Sequence, residues 1–215
     1  MKTWTAIIFD MDGTLFDTEN LVNKAWYFIK DKYHLPINDE FISLLKGRTR
    51  ADAQPIYDKY MPCSWDQKSV QQDIKNFMIN HKLKYGPGPK ADLIKLFEDL
   101  KGEGYRLALC SSSIRENIDF NLSFENLHEY FDVIVDGSMA EYGKPAPDIY
   151  LKTAQLLGLK SDECLVIEDS INGILSGYHA GMDVIMVVDT IQPTKEIKAI
   201  TYRIFEVLDD IRTVV

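Results

Sequence analysis

Ala6-Ile7-Ile8-Phe9-Asp10-Met11-Asp12-Gly13-Thr14 is the stretch whose reading decides the fold. Four apolar residues without alternation predict a strand buried on both faces, as in a parallel sheet covered by helices on either side. The strand ends by delivering two carboxylates, two residues apart, into a turn at Gly13. One reading is a turn whose aspartates bond neighbouring backbone N–H groups. The other is chemical: a carboxylate can attack phosphorus and form an aspartyl-phosphate. A second carboxyl beside it can protonate the leaving oxygen and later take a proton from water.

The residues beyond Pro89 repeat the theme. Arg106–Cys110 reads as a strand running into Ser111, Phe131–Val135 as one ending at Asp136, and Cys164–Ile167 as one ending at Glu168-Asp169. Val184–Val188 and Tyr202–Phe205 complete the set. Helical periods fill the gaps at Leu93–Leu100, at Ala146–Leu157 before Gly158, and at Ile171–Ala180 before Gly181. Strands alternating with helices predict a parallel sheet with helices on both faces. Sites in such folds lie at the carboxyl ends of strands. Asp10 and Asp12, Ser111, Asp136, and Glu168 with Asp169 are therefore expected to converge.

Between Asp17 and Tyr85 the periodicity is helical throughout. Leu21–Tyr33 follows an N-cap at Asp17 or Thr18, Asp39–Lys46 stops at Gly47, Arg50–Tyr60 contains Pro55 as a kink, and Asp66–Leu83 closes the block. Tyr85-Gly86-Pro87-Gly88-Pro89 is a breaker cluster suited to a hinge. The expected fold class is α/β, a doubly wound parallel sheet with a Rossmann-like core formed by residues 1–17 and 87–215. An all-helical cap domain, residues 18–86, is inserted after the first strand.

The composition, 46% hydrophobic and 27% charged over 215 residues, is that of a globular protein. A net charge of −9 without a basic stripe argues against a nucleic-acid partner. Apolar runs such as Val184–Val188 are too short to span a bilayer. The start, Met1-Lys2-Thr3-Trp4, has no signal-peptide character. Cys63, Cys110 and Cys164 have neither metal-ligand spacing nor an even number for a disulfide framework, and read as small hydrophobes. The expectation is a cytoplasmic monomer with no membrane partner.

Three further features carry chemistry. Glu168-Asp169 at a strand end suits a hard cation such as Mg²⁺, the plainer alternative being that Asp169 or Ser170 caps the next helix. Lys144, before Pro145-Ala146-Pro147-Asp148, can neutralise a phosphate and an aspartate, or be a solvated surface lysine. Ser111 and nearby N–H groups can bind phosphoryl oxygens, or simply begin a loop.

In order and context these residues resemble the four motifs of the haloacid dehalogenase superfamily, from Asp10-Met11-Asp12-Gly13-Thr14 through Ser111 and Lys144 to Glu168-Asp169. Gly143–Asp148 and Glu168–Ile174, followed by Ala180-Gly181-Met182, are similar to its β-phosphoglucomutase-like branch, as is the helical insert. The resemblance implies that Asp10 is the nucleophile and an Mg²⁺ ligand. Asp12 is implied as general acid/base with its carbonyl on the metal, Ser111 as a phosphoryl contact and Lys144 as a charge screen. Glu168 and Asp169 are implied at the metal. Ser112, together with Lys46 and Arg50 in the cap's Lys46–Arg50 loop, is assigned to substrate, the loop's alternative being a helix C-cap at Gly47 with solvated basic neighbours. Closure of the cap over the core is expected to exclude bulk water.

The resemblance also bears on the acceptor. The mutase carries a histidine on its first cap helix, where this chain has Val22. His34, His81, His128 and His179 lie elsewhere. Water as acceptor follows, hence a phosphatase acting on a small phosphorylated metabolite such as a sugar phosphate. The alternatives are a hexose-phosphate mutase and a catalytically silent binding protein on the same fold.

Overall fold

The computed structural model describes residues 4–45 and 50–215, the side chains of 50–52 excepted. β1 (Ala6–Phe9) is followed by α1 (Thr18–Tyr33), α2 (Asp39–Leu45), α3 (Arg50–Tyr60) and α4 (Gln67–Tyr85). Next come α5 (Leu93–Gly102), β2 (Arg106–Cys110), α6 (Arg115–Ser123) and β3 (Val133–Val135). The chain ends through α7 (Asp148–Leu157), β4 (Cys164–Glu168), α8 (Ile171–His179), β5 (Asp183–Val187), α9 (Lys195–Ile200) and β6 (Arg203–Phe205), with short 3₁₀ turns between.

The six strands form one parallel sheet in the order β3-β2-β1-β4-β5-β6. Successive residues of β1 explain the unbroken apolar run. Ile7 and Phe9 enter one core with Leu96 and Phe97 of α5 and Ile118 and Leu122 of α6. Ala6 and Ile8 enter the opposite core with Tyr150 and Leu157 of α7, Ile174 of α8 and Ile197 of α9. Both faces of β1 are thus buried, and every residue of that strand packs into a core. From β1 the chain winds to β2 and β3 on one side and, after crossing back, to β4, β5 and β6 on the other. The switch point lies between β1 and β4, which is where an open α/β sheet leaves a crevice at its carboxyl edge.

Contacts divide the chain into two compact units, one running to Asp17 and resuming at Pro89, the other comprising Thr18–Gly88. The second boundary falls at Gly88, where the sequence suggests Gly86. The helical unit has its own core, in which Trp26 of α1 meets Phe41 of α2 edge-on at 5.2 Å, with Tyr57 of α3 and Val70 of α4 completing it. α3 continues as one helix through Pro55. Asp66 caps α4 by accepting from the N–H groups of Lys68 and Ser69. α6 and α9 are additional to the helices predicted from the sequence. Among the described residues no helix is long and apolar enough to cross a membrane.

Candidate active site

Asp10 is the first residue beyond β1, and its N–H still bonds the Ile167 carbonyl of β4, so its side chain leaves the sheet at the switch point. The chain then turns tightly: Gly13 N–H donates to Phe16 O, and the N–H groups of Leu15 and Phe16 donate to Met11 O. Burial of Met11, Leu15 and Phe16 holds this loop down. Gly13 has φ of +85°, and a Cβ there would lie 2.3 Å from Asp169 Oδ2. Only glycine meets both demands. Thr14 Oγ1 donates to Asp169 Oδ1 at 3.0 Å, so the loop after β1 and the end of β4 are fastened side chain to side chain.

Lys144 is the bridge. Its buried Nζ donates to Asp10 Oδ1 at 2.5 Å and to Glu168 Oε1 at 2.7 Å. It lies 4.9 Å from the Tyr150 ring centre. Glu168 is saturated: Oε1 also accepts from Tyr150 OH, and Oε2 accepts from Asp169 N–H, Ser170 N–H and Ser170 Oγ. Ser170 Oγ in turn accepts from Gly173 N–H, which caps α8. The helix comes so close that a Cβ at Gly173 would sit 1.5 Å from Glu168 Oε1.

The third wall follows β2. Ser111 is buried, with its N–H on the Val135 carbonyl and its Oγ accepting from Ser113 N–H at 3.0 Å. Ser113 Oγ donates to Asp12 Oδ2 at 2.8 Å. Asp10, Asp12, Ser111, Ser112, Lys144 and Glu168 therefore line one cleft of about 260 Å³, joined by Ser113 and Ser170. Asp169 stands beside it against Gly13 and Thr14. Asp136 does not join them. It caps the 3₁₀ turn Gly137–Met139, accepting from Ser138 N–H and Oγ, so a carboxylate at a strand end is here structural. Lys46 lies outside the described residues, and Arg50 is described only by its backbone, as the first residue of α3. Ser113 carries no motif signal beyond the run Ser111-Ser112-Ser113, although its contact with Asp12 makes it part of the site.

The electrostatics are those of a crowded carboxylate site. Burial pushes Asp10 up to about 8, against the Lys144 ammonium, with Glu168 and Asp12 adding to the rise. Burial, then the charges of Glu168 and Asp10, hold Asp169 well above the usual carboxylate range. Burial alone works to lower Lys144, but Asp10 and Glu168 outweigh it and keep the ammonium charged. Burial drives the neighbouring Cys110 thiol up to about 12, which leaves it protonated and inert. One oxygen from each of Asp10, Glu168 and Asp169 falls within 4.8 Å of the others. A single lysine does not balance three buried carboxylates. This all-oxygen donor set fits a hard divalent cation such as Mg²⁺.

Fold and cleft together define an α/β enzyme with its carboxylate-rich site at the ends of parallel strands. A sequence profile of the haloacid dehalogenase-like hydrolases matches residues 7–187. A phosphorylated carbohydrates phosphatase of Thermotoga maritima is 30% identical over 181 residues, 83% of this chain and 82% of that protein. A bifunctional riboflavin kinase/FMN phosphatase of Arabidopsis thaliana is 33% identical over 189 residues, 86% of this chain, which spans only 49% of that longer protein. A Thermotoga maritima structure solved as a candidate β-phosphoglucomutase superposes with a TM-score of 0.81 at 25% identity, covering 98% of this chain and 99% of that one. The chain belongs to the haloacid dehalogenase-like hydrolases, and it is a phosphatase-type enzyme within them.

Proposed function

We propose that the protein is a Mg²⁺-dependent phosphatase that hydrolyses a small phosphate monoester, a sugar phosphate or similar metabolite, through an aspartyl-phosphate. The observation that carries this reading is Lys144, buried between Asp10 and Glu168 in a cleft that also holds Asp12 and Ser111. Asp10 and Asp169 would hold the cation, with the Asp12 carbonyl, while Glu168 is committed chiefly to fixing Lys144. When bound, the cation offsets charge on the carboxylates and on the phosphoryl oxygens.

In the first half-reaction the Asp10 carboxylate attacks phosphorus and the bond from phosphorus to the ester oxygen breaks. Asp12 gives its proton to the departing alkoxide. In the second half Asp12 takes a proton from water, the water oxygen attacks phosphorus, and the bond to Asp10 breaks to release inorganic phosphate. Lys144 keeps Asp10 aimed and screens its charge from the phosphoryl group. Because Ser111 Oγ already accepts from Ser113 N–H, its own proton is free for a phosphoryl oxygen. Positioning and charge compensation are the main demands of phosphoryl transfer, and these residues supply both.

The reading is tested by phosphate release from a panel of sugar phosphates, phosphoglycolate and nucleotides, with and without Mg²⁺. The Asp10→Asn protein serves as blank, since an amide neither attacks phosphorus nor binds Mg²⁺ as well. Release that needs Mg²⁺ and vanishes in the variant is the expected result. Near-normal release by the variant removes Asp10 as nucleophile. Isomerisation of β-glucose 1-phosphate in the presence of its bisphosphate, without net release, makes the protein a mutase, and silence across the panel returns the non-catalytic reading.

A further inference from the structure

We infer that Lys90, held by Asp189, is a positioning residue for the loop that carries Asp12 and contacts Asp169. Neither residue belongs to a motif, and neither lines the cleft. Lys90 Nζ donates to the Gly13 carbonyl at 2.7 Å and to Asp189 Oδ1 at 2.8 Å. The two side chains are only 16% and 9% exposed. Lysine is rarely buried this far without a specific partner. The second oxygen of Asp189 is buried and has no hydrogen-bond partner among the described residues.

Gly13 is the pivot of the site. It stands between Asp12, whose side chain faces the cleft, and Thr14, whose hydroxyl holds Asp169. A Cβ at Gly13 would meet the Asp169 carboxylate, so the residue has no room to move toward it. The Gly13 carbonyl lies in the peptide that leads to Thr14, and a shift of Gly13 itself is passed to both neighbours. Lys90 opposes that shift from two directions. Its side chain grips the Gly13 carbonyl, and its backbone N–H donates to the Leu15 carbonyl at 2.9 Å. The preceding Pro89 pairs with Phe16 in an antiparallel bridge. Asp189, the second residue past β5, keeps the ammonium in place.

The inference rests on the metal-site reading above, and calorimetric titration of the purified protein with MgCl₂ separates the two. The informative variant is Lys90→Met with Asp189→Asn, which removes both charges and strands neither. The expected result is a Kd for Mg²⁺ weakened on the order of tenfold, the usual scale for residues that orient ligands from behind. The kcat for p-nitrophenyl phosphate falls alongside it, while KM is unchanged. Lys90→Arg, which keeps a cation able to reach the carbonyl, recovers most of both. If the double variant binds Mg²⁺ and turns over within twofold of wild type, the positioning role is wrong. The same holds if only its melting temperature falls. Should the wild-type protein take up no Mg²⁺, the metal reading fails and this role fails with it.

Discussion

At the scale of single residues, Asp12 finds its partner outside its own loop. Ser113 Oγ donates to Asp12 Oδ2, while Ser113 N–H independently supports Ser111. Ser113→Ala deletes the first bond and keeps the second, so its effect reports on Asp12 alone. A hydrogen bond to a carboxylate contributes about 1.5–3 kcal/mol, which corresponds to roughly tenfold or more in rate if the bond orients the acid in the transition state. The loss should depend on the leaving group. An alkyl phosphate needs a proton on its departing oxygen, and p-nitrophenyl phosphate scarcely does. Steady-state kcat on both substrates is the check. A larger loss for the alkyl ester is expected, and equal losses would show that Ser113 does not serve the acid.

At the scale of elements, the junction of β4 and α8 sets the position of Lys144. Ser170 caps the helix and binds Glu168 with the same hydroxyl, and Gly173 allows the first turn to close on that carboxylate. Gly173→Ala sets two effects against each other. Helix propensity favours alanine by about 1 kcal/mol. The clash with Glu168 costs about 1–3 kcal/mol, since backbone or a buried carboxylate must move. The clash should win, giving a lower melting temperature. The displaced Glu168 should also loosen Lys144 from Asp10, and misplacement by about an ångström can cost on the order of a hundredfold in kcat. A more stable, fully active variant would refute this account. The same junction shows what a sequence can reveal. β1 and β4 were legible because burial on both faces demands unbroken apolar runs, and their terminal carboxylates stood out by contrast. Asp136 has the same local signature yet caps a turn, because only the tertiary arrangement decides where a strand-end carboxylate points. α6 is weakly marked in the sequence because its buried face includes Asn121 beside Ile118 and Leu122, and α9 because Ile197 is its only buried side chain. Lys90 was invisible for another reason: its partner Gly13 lies 77 residues away.

At the scale of the whole molecule, a protein of net charge −9 concentrates buried carboxylates at one strand edge, and this shapes its stability. Asp10 titrates at 3.8 in its unperturbed state and at about 8 in the folded protein. Between those values the folded protein keeps a proton that the unfolded chain has released. Unfolding free energy therefore declines as pH rises through that window, and the contribution is gone above pH about 8. Asp169, raised in the same direction, adds to the slope. On the proposed reading Mg²⁺ displaces those protons when it binds, so its stabilisation should grow as pH rises. At a hundredfold excess over Kd the gain is about 2.7 kcal/mol, or roughly 5–10 °C for a chain of this size. Scanning calorimetry from pH 5 to 8, in EDTA and in MgCl₂, tests this. In EDTA the melting temperature should fall with pH, and the gap between the two series should widen. Asp10→Asn should flatten the EDTA series and narrow the gap, because the amide neither titrates nor replaces the carboxylate on the cation. Parallel series for wild type and variant would mean that Asp10 does not carry the raised titration and that the cation does not depend on it.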